Sequence, residues 1–522
     1  MRNLVLVLGD QLNHDSAAFD GFDQRLDAVW MAEVAEEATH VWCHQLRITL
    51  FFAAMRHFRD ELTARGCRVH YTEMPEQPEL DRGRDFAAVL RKDLVALAPQ
   101  KLILVQPGDF RVLQDLRGLA AEMAVNLELR PDRHFYCDPA EFDEYAAGKK
   151  QLILEHFYRR LRKKHSVLMT TSGKPVGGGW NFDRQNRQKF SEKLAQTIPR
   201  PASFPPDAVT RQVLQLVAKR FRDHPGSLQH FDLPVTREQA LTMLDRFIAS
   251  GLPKFGPYQD AMWMDEPFLF HSRLSSSLNL KLLDPRDCID AAVSAYSAGA
   301  APIESVEGFV RQVLGWREYI RGVYWRFMPE YADLNQLDQH LDLPSFYWDG
   351  RTNMRCFQQT MRHVLRHAYS HHIERLMVVG LFSLLFGCHP RKFHEWHMAM
   401  YADAIDWVSL PNTLGMSQYG DGGLVGTKPY CATGNYINRM SNYCGRCRYD
   451  HRQAAGDTAC PFTTLYWDFL ARQQDRLKNN PRMQIQLQNL VEKRHDAMAF
   501  LEIRRRAEQL RRNWSEILVH EE

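Results

Sequence analysis

The chain opens with LVLVLGDQ at residues 4–11, five aliphatic residues followed by a short polar turn. Four more short aliphatic or β-branched runs occupy residues 28–34, 68–72, 102–105 and 127–129. Continuous apolar runs of this length, bounded by turn residues, are typical of strands that are buried on both faces. The pattern predicts five such strands in the first part of the chain.

A helical pattern separates the second run from the third. Apolar residues recur there at four-residue steps, at Leu46, Leu50, Ala54, Phe58 and Leu62. This spacing is typical of a helix with one buried face. Strands that alternate with such helices indicate a doubly wound, parallel α/β domain over residues 1–130. Sheets of this type bind ligands beyond the carboxyl ends of their strands, where Gly9, Asp10 and Gln11 lie, although a plain strand-ending turn explains the same residues.

The remaining chain divides by composition. With 522 residues the protein is too long for a single core. Residues 131–206 are basic and rich in turn residues, which predicts an interdomain linker. Beyond residue 207 the strand patterns nearly vanish and helical patterns continue, so residues 207–522 are expected to form a large all-α domain.

Charge and hydropathy restrict the partners. The formal net charge is only +3, so any surface that binds nucleic acid must be a local basic patch. The run RRLRKK at residues 159–164 is one candidate, although by itself such a run is more often a solvated helix face. The opening aliphatic run is too short for a signal sequence, and no apolar run reaches the roughly 18 residues that a membrane span needs. We therefore expect a cytoplasmic protein that does not enter membranes and whose cysteines are thiols or metal ligands.

Three cysteines lie close together near the C-terminus. Cys444 and Cys447 form a C-x-x-C pair, and Cys460 follows before a proline. Thiolates at this spacing suit either zinc or an iron–sulfur cluster. A redox-active pair is less favoured, because such a motif normally lies beside a βαβ unit. The spacing predicts a metal site that still lacks a fourth ligand.

Several longer motifs resemble one known family. They are GWREYIRG at residues 315–322, MYADA at 400–404, GTKPY at 426–430 and NYI at 435–437, together with LGDQL at 8–12 and LYWDF at 465–469. These motifs resemble the cryptochrome/photolyase superfamily, and in particular its bacterial branch that binds a 4Fe-4S cluster. The resemblance covers essentially the whole chain. It implies an α/β domain joined by a long linker to an all-α domain that binds FAD, and it implies Cys356, Cys444, Cys447 and Cys460 as cluster ligands.

The resemblance also implies the residues that hold FAD. They are His271, Ser272, Arg273, Leu274 and Ser275 at the pyrophosphate, Gln312, Trp316 and Arg317 along the cofactor, and Arg375 and Asp403 as an ion pair beside the isoalloxazine ring. A cation near the N1 and N5 side of the ring favours the anionic reduced flavin. Without the resemblance, the serines near residue 275 would be interpreted as a helix N-cap.

Two tryptophans match the family's route for electrons from the surface to the flavin. Trp396 matches the position nearest the ring and Trp348 the next, although tryptophans are also common core residues. His397 stands where relatives often have a tyrosine, and Ser409 stands where close relatives have a glutamate. The route in this chain is therefore expected to differ.

Histidines cluster in a helix that the pattern predicts over residues 360–380. His363, His367 and His371 recur at four-residue steps, with His372 adjacent. A metal-binding stripe is one interpretation, and ordinary, partly exposed helix residues are another. In relatives that repair (6-4) lesions, a histidine beside the lesion supplies a proton, and His371 and His372 match that position.

The first domain of this branch usually binds 6,7-dimethyl-8-ribityllumazine as a light-harvesting antenna. Gly9, Asp10, Gln11 and Glu33 match the antenna contacts. Their side chains offer the hydrogen-bonding groups that a polar ring and a ribityl chain require.

The combined expectation is a blue-light-driven (6-4) DNA photolyase, a carbon–carbon lyase in which reduced FAD passes an electron to a lesion flipped out of UV-damaged DNA. Tyr430 and Lys428 are expected to contact the lesion and its phosphates, and the protein is expected to act as a monomer. The alternative is a cryptochrome-like photoreceptor with the same cofactors and no repair. The retained His371, His372 and Tyr430, and the lack of a long tail after the helical domain, favour repair.

Overall fold

Five parallel strands form one sheet in the N-terminal part of the chain. The computed structural model describes residues 1–149 and 151–517. The strands are β1 (Asn3–Leu6), β2 (Ala28–Ala32), β3 (Val69–Thr72), β4 (Lys101–Val105) and β5 (Asn126–Arg130). Their order is β3-β2-β1-β4-β5, and every neighbouring pair is parallel. The expected doubly wound α/β domain is therefore confirmed, with β1 and β2 each ending two residues earlier than predicted.

Four helices cover the sheet: α1 (Ala35–Thr39), α2 (Gln45–Ala64), α3 (Phe86–Leu97) and α4 (Phe110–Glu122). Alternate residues of β1 point to opposite faces. Leu4 and Leu6 pack with α3 and α4 in a small core, whereas Val5 and Val7 belong to a larger core that continues into the helical part of the chain. The face of the sheet that α2 covers is thus joined to the helical region by continuous apolar packing.

Three helices follow in the connecting segment: α5 (Pro139–Ala146), α6 (Leu154–His165) and α7 (Glu192–Ala195). The helical part then contains α8 (Ala208–Arg220), α9 (Arg237–Ser250), α10 (Leu252–Tyr258), α11 (Ser275–Asn279), α12 (Pro285–Ser297), α13 (Ile303–Val310), α14 (Arg317–Phe327), α15 (Phe346–Asp349), α16 (Arg355–His367), α17 (His372–Glu374), α18 (Leu381–Phe386), α19 (Pro390–Met400), α20 (Asp406–Leu410), α21 (Gly434–Met440), α22 (Pro461–Leu477), α23 (Gln484–Lys493) and α24 (Ala497–Arg512). In the described part of the chain, no helix is both long enough and apolar enough to cross a bilayer.

Three π-helical segments interrupt this bundle, at Arg311–Trp316, Arg375–Gly380 and Pro411–Ser417. A π-helical turn costs hydrogen-bond quality and frequently occurs where a side chain must be aimed at a functional site. Two of the three segments carry predicted flavin contacts, namely Gln312, Trp316 and Arg375. The backbone is thus irregular where the sequence predicts a cofactor.

Candidate functional site

Arg375 and Asp403 form a two-pronged ion pair in the helical domain. The guanidinium Nη1 and Nη2 lie 3.0 and 3.1 Å from the two carboxylate oxygens, and Nε donates to the carbonyl of Ser370 at 2.7 Å. Burial alone would raise the pKa of Asp403, but Arg375 lowers it overall. The pair therefore stays charged, as a cation placed to stabilise an anionic ring must be.

His372 lies near this pair. Its surface is exposed, yet the surrounding protein desolvates the ring enough to lower its pKa to about 4, with a smaller effect from Arg375. His372 is thus neutral near pH 7 and accessible from solvent.

The predicted helix over residues 360–380 is wrong. Helix α16 ends at His367, because Ala368 adopts a left-handed conformation with φ of 48°, and α17 starts after His371 as its N-cap. His363 and His371 therefore do not lie on one continuous helical face. Within residues 1–149 and 151–517, no three His, Cys, Asp or Glu side chains converge closely enough to hold a single metal ion, so the metal-stripe interpretation has no support.

The buried histidines instead surround Glu374, which the sequence analysis missed. His363 Nδ1 lies 3.1 Å and His371 Nε2 3.8 Å from the Glu374 carboxylate, and the Tyr443 hydroxyl donates to it at 2.8 Å. Burial would raise the pKa of Glu374, but the histidines and Tyr443 lower it to about 2. A fixed anion therefore lies behind His371, whose ring stacks on His271 at 4.5 Å. The sequence signal for this role of Glu374 was its position two residues after His372.

The predicted pyrophosphate segment precedes α11. Ser275 is the first residue of this helix, and its hydroxyl hydrogen-bonds Asp403. Arg273 is buried, pairs with Asp232 at 2.7 and 3.1 Å and packs over the ring of Phe268 at 4.0 Å.

The charge of Arg273 is thus already balanced by Asp232. Leu274 is buried and Ser272 half-buried. The hydroxyl of Ser272, rather than the guanidinium of Arg273, is the group of this segment best suited to a phosphate, and Ser275 could join it only by giving up its hydrogen bond to Asp403.

The three residues predicted along the cofactor are dispersed. Gln312 is exposed, and Trp316 is half-buried with its edge against Tyr319. Arg317 donates to His134 Nδ1 at 2.8 Å and lies 4.0 Å from the ring centre of Phe135, both in the linker. These contacts place Arg317 at the linker, and they give it a structural role there.

Trp396 is buried near the ion pair. Arg375 lies 3.9 Å above the ring of Tyr401, and the Trp396 ring meets the same tyrosine edge-on at 5.8 Å. His397 is also buried, and its ring lies 4.5 Å from Tyr401. Ser409, the other departure from relatives, is buried, and its hydroxyl has no hydrogen-bond partner among the described residues.

Cys356, Cys444, Cys447 and Cys460 line one small cavity. Cys356 stands in the first turn of α16, and Cys460 is the N-cap of α22. Burial, followed by the other three thiols, raises the pKa of Cys356 strongly, in agreement with their common place at this cavity. Among the described residues no three of these side chains are arranged to hold a metal ion, but four cysteines at one cavity are the donor set that an iron–sulfur cluster uses.

A second cavity lies at the carboxyl edge of the sheet and is lined on one side by Met398, Ile405 and Asp406 of the helical part. Of the predicted antenna contacts, Gly9, Asp10 and Glu33 line it. Gln11 does not line it. Its amide donates to the Val105 carbonyl at 2.9 Å and so holds the turn itself.

Glu33 lines the cavity, but its oxygens are already occupied. They accept from Arg56 at 2.7 and 2.9 Å, from the Tyr71 hydroxyl at 2.7 Å and from the Met74 amide at 2.8 Å. Glu33 therefore shapes the cavity wall more than it offers free acceptors.

Other polar groups of this cavity were not predicted. Glu37, Arg47, Asp109 and Asp406 all line it. Burial, reinforced by Asp406, raises the pKa of Asp109 to about 7. A protonated Asp109 can donate a hydrogen bond, which the ionised acids around it cannot.

The basic run at residues 159–164 is not the free patch that was expected. Arg162 is fully buried and donates to the carbonyls of Leu168 and Trp180 at 2.6 and 3.1 Å. Arg159 pairs with Glu155 within the helix. Most of this charge therefore holds the linker in place.

Basic side chains instead surround Tyr430. Burial raises the pKa of this tyrosine, while Arg187 and Arg482 lie close enough to oppose the shift. Arg187 belongs to the linker, and its side chain is 72% exposed. Lys428, two residues before Tyr430, is half-buried.

Two solved structures share the fold of this chain. A bacterial class III photolyase from Agrobacterium tumefaciens superposes with a TM-score of 0.55 over 84% of this chain and 86% of its own, at 16% identity. The cryptochrome of Synechocystis sp. PCC6803 superposes with a TM-score of 0.52 over 91% and 93% of the two chains, at 12% identity. At these identities the comparison concerns the fold alone, which is the two-domain fold of photolyases and cryptochromes.

Sequence comparison gives the family. A family model described as deoxyribodipyrimidine photo-lyase-related protein matches residues 5–233. A protein of Agrobacterium fabrum named (6-4) photolyase is 45% identical over 483 residues, which are 92% of this chain and 94% of the relative. The chain therefore belongs to the cryptochrome/photolyase superfamily. Membership implies FAD as cofactor and, for its photolyases, DNA as substrate.

Proposed function

We propose that this protein is a (6-4) photolyase, which uses light to reverse (6-4) pyrimidine–pyrimidone lesions in DNA. The observation that carries the proposal is the 45% identity, over nearly the full length, to a protein of that name. The proximity of the exposed His372 to Arg375 agrees with it, because this reaction needs both an electron and a proton at one place.

The Arg375–Asp403 pair is proposed to hold the isoalloxazine ring of FAD, with Ser272 and Ser275 at its phosphates. FAD, when bound, supplies the light-absorbing electron donor. The protein's contribution is electrostatic. Arg375 has both a carboxylate partner and the Tyr401 ring face, so its position is fixed before the cofactor binds.

His372 is proposed to hold the proton that repair requires. Near pH 7 its ring is neutral and carries one N–H, because desolvation keeps its pKa at about 4. Negative charge that develops on a lesion beside the ring raises the pKa of the imidazole, so that His372 takes up a second proton from water, and the imidazolium formed in this way donates a proton to the lesion and returns to the neutral ring. His371 lies behind it on Glu374 and is proposed to orient the site.

Damaged DNA is proposed to approach over Tyr430, with Lys428, Arg187 and Arg482 near the phosphates. Backbone contacts by arginine and lysine position a duplex without reading its sequence. The flipped lesion is proposed to lie beside His372. A monomer located in the cytoplasm remains our prediction.

The four-cysteine cavity is proposed to hold a 4Fe-4S cluster, and the cavity at the sheet edge is proposed to hold 6,7-dimethyl-8-ribityllumazine. The cluster proposal rests on the four facing thiols. The antenna proposal rests on a mostly apolar space with a few acids and Arg47 at its wall, which suits a flat polar ring.

Repair is tested by illuminating the purified, reduced protein with oligonucleotides that carry either a (6-4) lesion or a cyclobutane dimer, and by chromatography of the products. We expect the (6-4) lesion alone to be reversed. The His372→Ala variant should lose roughly 10² to 10⁴ in repair rate while retaining flavin. His367→Ala, at the end of the neighbouring helix, is the matched control and should repair normally.

Repair of the dimer alone would contradict the assignment. A flavin-loaded protein that repairs neither lesion would favour the cryptochrome-like photoreceptor instead.

A further inference from the structure

Tyr443 is a buried tyrosine without an assigned role. It immediately precedes Cys444 and, like that cysteine, lines the four-cysteine cavity. Its side chain is fully buried, and its hydroxyl lies 2.8 Å from the Glu374 carboxylate and 3.4 Å from the Trp263 carbonyl. A hydroxyl has one proton to donate, and the shorter contact to a charged acceptor is the stronger one. The wall of the cavity is therefore hydrogen-bonded to the anion behind His371.

A second connection runs from the same cavity to Glu374. Cys356, which also lines the cavity, stands on α16, and the same helix carries His363. The Nδ1 atom of His363 lies 3.1 and 3.3 Å from the two oxygens of the Glu374 carboxylate. Because a helix fixes the spacing of its side chains, a displacement of Cys356 moves His363 with it. Tyr443 and His363 thus both link Glu374 to residues of the cavity.

Glu374 is joined to the histidines by short connections. It is the last residue of α17, a single turn that begins at His372. The Nε2 atom of His371 lies 3.8 Å from the Glu374 carboxylate, which is an ion-pair distance rather than a hydrogen bond. A buried carboxylate is costly without donors, so the groups that donate to Glu374 determine where it lies. A shift of Tyr443 therefore reaches His372 through one turn of backbone.

We propose that Tyr443 is a positioning residue for repair, which holds His371 and His372 in place through Glu374 and ties them to the four-cysteine cavity. The inference rests on the proposed (6-4) repair. An occupant bound by the four cysteines would fix both connections at once. A proton donor must lie within hydrogen-bond reach of its acceptor, so a small displacement of His372 slows repair. Because Tyr443 is fully buried, its loss should leave the affinity for DNA unchanged.

The test compares wild type with Tyr443→Phe, which removes only the hydroxyl, in the soluble fraction that is loaded with flavin and iron. The kcat of (6-4) repair should fall roughly 10-fold, while the Kd for the lesion-carrying oligonucleotide stays the same. Hydrogen exchange of residues 372–375, followed by mass spectrometry in the dark without DNA, should be several-fold faster. His363→Asn, which shortens the other connection, should show the same changes.

Tyr449→Phe is the matched control. Tyr449 is buried and lines the same cavity, but within the described part of the chain it has no hydrogen bond to Glu374. This variant should behave as wild type in both measurements. If Tyr443→Phe yields no loaded protein, His363→Asn decides the inference by the same criteria.

An unchanged kcat per loaded molecule in Tyr443→Phe would show a role in folding only and would overturn the inference. Equal losses in Tyr443→Phe and Tyr449→Phe would also overturn it, because the effect would then not pass through Glu374. If wild type repairs neither lesion, the proposed function fails, and the exchange measurement, which needs no lesion, decides alone. Faster exchange in Tyr443→Phe but not in Tyr449→Phe would then support the connection, and unchanged exchange would refute it.

Discussion

His44 should make the docking of the two domains sensitive to acid. It is the N-cap of α2, and its Nδ1 accepts a hydrogen bond from the Leu46 amide at 3.0 Å. Its Nε2 lies 3.0 Å from the Leu365 carbonyl in the helical part, and its own amide donates to the Ala399 carbonyl at 2.8 Å. Because Nδ1 is used as an acceptor, a proton there would remove the helix cap.

The magnitude follows from the pKa. Desolvation lowers the pKa of His44 from its ordinary 6.5 to about 4, opposed by the Leu365 carbonyl. Between these values the unfolded chain binds the proton and the folded chain does not, so the free energy of unfolding falls as the pH is lowered through this range. The loss is about 2 kcal/mol near pH 5 and approaches about 3 kcal/mol below pH 4.

The assay is urea unfolding of the holoprotein over a pH series, with His44→Asn compared with wild type. Asparagine is a good N-cap that does not titrate, so this variant should be less stable at neutral pH but lose about 2 kcal/mol less on acidification to pH 5. His230→Asn, which changes an exposed histidine, is the control for the method. Parallel pH profiles for wild type and His44→Asn would refute the reasoning.

Three further predictions concern single residues. Cys356→Ser should abolish bound iron, measured by metal analysis, and lower stability, because metal binding of this kind is coupled to folding; full iron content would contradict the cluster site. Glu374→Gln removes the anion behind His371, so the pH profile of (6-4) repair should shift while flavin content stays unchanged, and an unshifted profile would argue against a positioning role. Asp468→Asn weakens the buried anchor for Arg472, Arg504 and Arg511, and should cost about 2 kcal/mol and speed hydrogen exchange in α24; unchanged exchange would show that the anchor is dispensable.

The sheet was predictable because its strands are buried on both faces. Leu4 and Val5 of β1 are both inaccessible to solvent, so the sequence of this strand is one apolar run and does not alternate apolar with polar residues. Apolar residues at four-residue steps likewise located α2. Each of these signals lies within the residues of the strand or helix that it predicts.

The break after His367 was not predictable from the same signals. Neither glycine nor proline marks it, and the left-handed residue there is Ala368, which pays a conformational cost that tertiary contacts must offset. A histidine stripe that looks continuous in sequence is therefore split into His363 on one helix and His371 at the start of another.

The residue types in the sequence also did not show which arginines have hydrogen-bonding partners within the protein. Arg273 and Arg317 lie in the segments that were expected to bind the cofactor. Each already hydrogen-bonds a residue distant in sequence, Arg273 to Asp232 and Arg317 to His134. The Arg375–Asp403 pair was predicted from resemblance, and the structure brings the two together. No local sequence pattern predicts which of several arginines forms an ion pair with an Asp or Glu side chain.

One helix connects the two candidate cofactor sites. Over its eleven residues, α19 carries Trp396 on the electron route and Met398 at the wall of the sheet-edge cavity. His394 on the same helix hydrogen-bonds Asp406 at 2.9 Å, and Asp406 lines that cavity too. A regular helix fixes the spacing of its side chains, so the cavity and the inner tryptophan cannot shift independently. An antenna held against Met398 and Asp406 would therefore keep its distance to Trp396 for as long as the sheet domain, which forms the rest of the cavity, stays docked on this helix.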